Sequence, residues 1–155
     1  MQKIALVVTI EFKPESKAPF LQSLLDHKQR CLAGEPGTLQ FEVLTPTENA
    51  HSVVLFELYA SAEALVAHDA RERAAAVEAM VGRVLARDGF ALGQLTLRFN
   101  SLISLRLDER ANPLGPALLC EYFLQAGRSL GVGIKVKLIL LKLFERYVLS
   151  EAGQL

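Results

Sequence analysis

KIALVVTIEFKPESKAPFLQSLLDHKQRCLAGEPGTLQFEVL, residues 3–44, changes period twice, and those changes decide the fold. Ile4, Leu6, Val8, Ile10 and Phe12 alternate with Ala5, Val7, Thr9 and Glu11, the period of a strand buried on one face and partly on the other. Pro14 stops it. Between Pro19 and Leu32 the residues Phe20, Leu21, Leu24, Leu25, Cys31 and Leu32 recur in steps of three and four. That spacing gathers them on one face of a helix ending at Gly34, ahead of Pro36 and Gly37. Alternation returns with Leu39, Phe41 and Val43, so residues 38–44 form a second strand.

Downstream, residues 46–52 supply a polar turn and residues 52–60 a third strand of near-continuous apolar character. Ser61 has the chemistry of an N-cap for a helix over residues 61–80, rich in Ala and Glu, with a break expected near Asp69. Residues 81–92 read as a fourth strand. The order β-α-β-β-α-β defines an α+β chain of ferredoxin-like type: a four-stranded antiparallel sheet with two helices on one face. The opposite face then needs a ligand, a partner subunit or an extra segment over it, because exposed apolar surface costs about 25 cal/mol per Å².

Past residue 94 the pattern is helical. Residues 1–94 carry 9 basic and 12 acidic side chains and residues 95–155 carry 8 and 5, a change from −3 to +3. We therefore expect a ferredoxin-like domain over 1–94 and a helical C-terminal extension over 95–155. Asn112-Pro113-Leu114-Gly115-Pro116 is a turn that sets Pro116 at a helix start, followed by a stripe of Leu118, Leu119, Tyr122, Phe123, Ala126 and Leu130. Gly131 and Gly133 interrupt it. A second helix over 134–149 keeps Lys135, Lys142, Glu145 and Arg146 on one narrow strip, with Lys137 apart, completing a helical hairpin.

With 155 residues, 51% of them hydrophobic, the chain can bury a core, and a balance of 17 basic against 17 acidic residues gives no reason to expect nucleic acid or an anionic membrane as partner. The run over 134–149 is too short and too charged to cross a bilayer, and the first residues lack a cleavage pattern, so the chain is expected to start at Met1. Cys31 and Cys120 stand far apart with no CxxC, which predicts neither a disulfide framework nor a zinc site and suits a reducing, cytoplasmic compartment. Phosphate loops, HExxH and GxSxG are absent, and no metal or cofactor is expected.

Few side chains remain for chemistry. At 100° per residue, His27 lies about 20° to one side of Phe20 on the helical wheel and Cys31 about 20° to the other. The imidazole is therefore either half-buried against a backbone carbonyl or a pocket-lining acid or base. Glu57 shares its strand face with Val53, Leu55 and Tyr59, where a carboxylate needs a partner. That partner is Arg83 or another cation, or else the carboxylate orients His27 or His68 or holds a substrate hydroxyl. His68, four residues after Ala64, faces inward or ends in solvent. Phe41 and Tyr59 are core residues or walls for an aromatic ligand, and His51 lies in a surface turn.

KPESKAPFLQSLLDHKQRCLAGEPGTLQFEVL (13–44) and VVLFELYASAEALVAH (53–68) resemble the antibiotic-biosynthesis monooxygenase family. Pro14, Phe20, the Glu35-Pro36-Gly37 turn, Phe41, the strand end from Glu57 to Tyr59, Ala64 and the Ala67-His68 pair carry the resemblance, which covers residues 1–92. It implies a dimeric α+β barrel with a pocket between sheet and helices. The family contains cofactor-independent oxygenases of quinols and phenolic aromatics, and isomerases of small signalling sugars. His27, Phe41, Glu57, Tyr59 and His68 match its pocket positions, while Asp69-Ala70-Arg71-Glu72-Arg73 replaces the aromatic or His usual after His68, and the chain has no Trp. RFNSL, NPLGPALLCEYFLQAGRSL and IKVKLILLKLFERYVL, within residues 98–149, resemble an internal helical segment of a large uncharacterised bacterial family.

Three functions follow as expectations. In the first, a homodimer oxygenates a small aromatic quinol with dioxygen, His27 serving as base, Glu57 orienting it, Phe41 and Tyr59 stacking on the ring and His68 closing the pocket. The second is isomerisation of a small phosphorylated hydroxyketone. The third is a non-enzymatic dimeric interaction module.

Overall fold

The structure, a computed structural model, describes residues 2–104, 106–108 and 110–154. Strand β1 (Ile4–Glu11) alternates along its whole length between half-buried and exposed residues, as its period requires. Helix α1 (Lys17–Gly34) follows, then β2 (Thr38–Leu44) and β3 (Ser52–Tyr59). The antiparallel sheet has the order β1-β3-β2, with Ile10 opposite Val53, Val8 opposite Leu55 and Phe41 opposite Glu57.

This register puts Val53, Leu55, Glu57 and Tyr59 on one face with Phe41, and α1 lays Leu24 and Cys31 onto it. Phe12, Phe20 and Leu21 pack around that core. Leu39, expected to point inward, is exposed because β2 is irregular between Thr38 and Gln40, where one extra residue resets the alternation.

Helix α2 (Ala62–Leu102) is capped by Ser61, whose Oγ accepts from the Ala64 backbone N–H at 3.3 Å. Its length of 41 residues overturns two expectations. There is no break at Asp69, and residues 81–92 are helical, so the described residues hold three strands and not four. The physical reason is spacing. Met80, Val84, Leu92 and Thr96 are buried at multiples of four residues, whereas the apolar positions of 81–92 do not alternate. Gly82, Gly89 and Gly93 lie inside the helix with open space where a Cβ would stand.

The chain divides into two compact units, Met1–Arg71 and Glu72–Leu155. The second contains α3 (Pro116–Ala126), with Pro116 in its first turn, and α4 (Ile134–Tyr147), followed by a 3-10 turn over Leu149–Gln154. Met80, Val84, Leu92, Cys120, Leu141 and Leu149 form its core, and Phe123 stacks on Phe144 with centroids 4.4 Å apart. Cys120 takes the inward position on α3, while Tyr122 and Leu130, expected in the stripe, are exposed. The expected polar strip on α4 includes Lys135, whose side chain lies outside the described residues. Asn112, buried before α3, donates to Thr96 Oγ1 at 2.8 Å and accepts from the Leu114 N–H at 3.0 Å, fixing the entry turn.

Candidate functional site

In the first unit, the later turns of α1, the inner face of the sheet and the start of α2 bring chemistry-bearing side chains together. His27 and Cys31 are one helical turn apart, and Cys31 Sγ lies 3.6 Å from Nδ1 and 3.7 Å from Nε2 of His27. The His27 ring meets Phe41 edge-on, with centroids 5.2 Å apart and planes at 84°. His68, buried early in α2, stands 5.7 Å from the His27 ring and 5.3 Å from that of Tyr59, with its Nδ1 3.9 Å from Cys31 Sγ. The Tyr59 hydroxyl donates to Glu57 Oε2 at 2.8 Å. His27, Phe41, Glu57, Tyr59 and His68 thus form one contiguous group.

Their pairing differs from the sequence reading. Arg83 lies in the second unit and donates twice to Glu145, at 2.7 and 3.0 Å, so it is not the partner of Glu57. Tyr59 is a partner of Glu57. The carboxylate hydrogen-bonded to a histidine is Glu35, in the turn after α1: its Oε2 lies 2.9 Å from His68 Nδ1 and accepts from Thr38 Oγ1, also at 2.9 Å. A carboxylate offers only acceptors, so Nδ1 is the donor in this contact, and in the neutral ring the lone pair then falls on His68 Nε2. Arg71 approaches the same carboxylate at 3.9 Å and donates to the Gly34 carbonyl at 2.9 Å.

Cys31, Glu35 and Thr38 were not singled out for chemistry in the sequence. The signal was there in the spacing: His27, Cys31 and Glu35 are successive fourth residues and share a helical side. Nor did the sequence disclose a Cys/His cluster, because His68 joins it from α2 through the fold.

A family model described as antibiotic biosynthesis monooxygenase matches residues 3–81. The chain belongs to this family. A second model, described as the N-terminal domain of a protein of unknown function (DUF1631), matches residues 46–155, so the chain belongs to that family as well. The two matches overlap over residues 46–81, and the second begins well before the stretch at 98–149 that carried the resemblance. No curated protein and no solved structure matches the chain.

In this monooxygenase-family chain the site is dry and polar at once. Phe41 and Tyr59 are 0% exposed, and Glu57 and His68 are 7% exposed. Burial, reinforced by the neighbouring Glu57 carboxylate, raises the Tyr59 phenol far above its ordinary range, so it serves as a neutral donor. The buried polar side chains find partners: among the described residues none of their nitrogen or oxygen atoms lacks a hydrogen bond. Chemically, the group offers an imidazole oriented by a carboxylate, a second imidazole, a thiol and two aromatic walls. Among the described residues no helix is long and apolar enough to cross a membrane.

Proposed function

We propose that the chain is a homodimeric oxygenase of a small phenolic or quinol substrate. The observation that carries this reading is the Glu35–His68 pair at 2.9 Å beside two buried aromatic rings, in a chain of the monooxygenase family. His68 Nε2 accepts the phenolic proton, and Glu35 holds Nδ1 and stabilises the imidazolium that forms. His27 supplies a polar contact for the phenolate, and Phe41 and Tyr59, whose hydroxyl proton is held by Glu57, bound the ring. The phenolate passes one electron to dioxygen, the radical pair joins at a ring carbon, and loss of water leaves a hydroxyquinone. One oxygen atom stays on the ring and the other leaves as water, so a quinol plus dioxygen balances a hydroxyquinone plus water.

The homodimer is supported by the outer face of the sheet, where Val7 and Leu44 are exposed and Val54, Phe56 and Leu58 half-buried. The test is dioxygen uptake on a reduced naphthoquinol. Uptake above uncatalysed autoxidation, lost in His68→Ala, is expected. Equal rates in wild type and His68→Ala overturn the reading.

A further inference from the structure

The group contains more ligands than proton transfer needs. His27, Cys31 and His68 each present a donor atom, and the three atoms lie within 4.8 Å of one another. With a Zn–S bond of about 2.3 Å and Zn–N of about 2.0–2.1 Å, a tetrahedral ion separates its sulfur and nitrogen ligands by about 3.6 Å. Cys31 Sγ is 3.6 Å from His27 Nδ1 and 3.9 Å from His68 Nδ1, so a single ion between them needs shifts of a few tenths of an ångström. Glu35 borders the group, with Oε2 2.9 Å from His68 Nδ1 and a carboxylate oxygen within 4.8 Å of Cys31 Sγ.

We propose that His27, Cys31 and His68, with Glu35 completing the tetrahedron, form a zinc site. The ion takes the place of the proton that His68 Nδ1 shares with Glu35. Ligand softness selects the metal: one thiolate and two imidazoles favour zinc over magnesium or calcium, which prefer sites made wholly of oxygen. Three of the four ligands come from one helix and the turn after it, spaced i, i+4 and i+8, and the fourth from α2. Cys31 is 1% exposed and His68 7%, which keeps the site dry, whereas half-buried His27 leaves an approach for the ion. The proposal does not depend on the oxygenase reading and is an alternative use of the same side chains: an ion on His68 Nδ1 leaves the ring proton on Nε2, so a zinc-loaded chain does not use His68 as a base.

The experiment titrates the full-length chain with zinc against a chromogenic chelator, then with cobalt(II) as a spectroscopic substitute. One ion per chain is expected, with a thiolate-to-cobalt charge-transfer band and the intense visible bands of a tetrahedral ion. Cys31→Ser should abolish the charge-transfer band, Glu35→Gln should weaken zinc binding by about tenfold to a hundredfold, and Cys120→Ser should change neither. The cobalt spectrum of the wild-type chain stands whether or not a variant folds. Absence of stoichiometric zinc uptake, a cobalt spectrum without the thiolate band, or a band that survives in a folded Cys31→Ser chain overturns the site.

Discussion

Glu35 and His68, 33 positions apart in sequence, meet at 2.9 Å. The contact joins the turn after α1 to the start of α2, and it assigns the imidazole proton to Nδ1. If His68 Nε2 is the base, His68→Ala should lower kcat on a quinol by about 10²–10⁴-fold. Glu35→Gln keeps an acceptor and loses the charge, so its kcat should fall between wild type and His68→Ala with KM little changed. Steady-state dioxygen uptake measures both.

Gly37 stands against α2. A Cβ on Gly37 would come within 2.5 Å of Ala64 Cβ, closer than two side chains approach, and Ala64 has no flexible end to move aside. Gly37→Ala should therefore destabilise the first unit by about 1–3 kcal/mol. Ala64→Gly alone should cost about 1 kcal/mol of helix propensity. In the double variant the two losses should not add, and urea titration of all four chains reads the coupling.

Tyr59→Phe removes the hydroxyl and leaves the 7%-exposed Glu57 without that donor. The expected loss is about 1–3 kcal/mol, the penalty of a buried acceptor deprived of a partner. Replacing Glu57 by Gln in the Tyr59→Phe background should recover part of it, because a neutral amide costs less to bury than a carboxylate. Chemical denaturation of the single and double variants decides it.

Cys120 titrates in a pH window of its own. Burial first, and the Glu145 charge second, push its thiol from 9.0 up to about 11. The folded chain thus holds this proton more tightly than the unfolded chain. The corresponding stability is present in full below pH 9 and is lost as pH rises toward about 11. Across that window the slope from this one group is about 1.4 kcal/mol per pH unit. Cys120→Ala should flatten the alkaline limb of a stability–pH profile measured by thermal unfolding.

Much of the first unit could be read from residues 3–60. Period-two alternation set β1 and β2, a near-continuous apolar run set β3, steps of three and four set α1, and the helical wheel put His27 beside Cys31. The wheel did not weigh the thiol as a ligand, since Cys31 also fits an apolar stripe. Glu35 was hidden because a polar residue before Pro36-Gly37 reads as turn chemistry, and only the fold brings α2 back over it. Residues 81–92 misled for a different reason. Val81, Val84, Leu85 and Leu92 are strand-compatible, and the glycines among them look like breaks. The burial of Met80, Val84 and Leu92 along one side of a continuous helix depends on α3 and α4, which supply Cys120 and Leu141 to the same core.

Because α2 consumes the residues expected to form another strand, β1 pairs with β3 along one side and, among the described residues, has no strand partner along its other. That border runs for eight residues with Glu11 as its sole charge, which is weak protection against another copy adding its backbone to the row. Light scattering should therefore climb with protein concentration at temperatures where the helices remain intact.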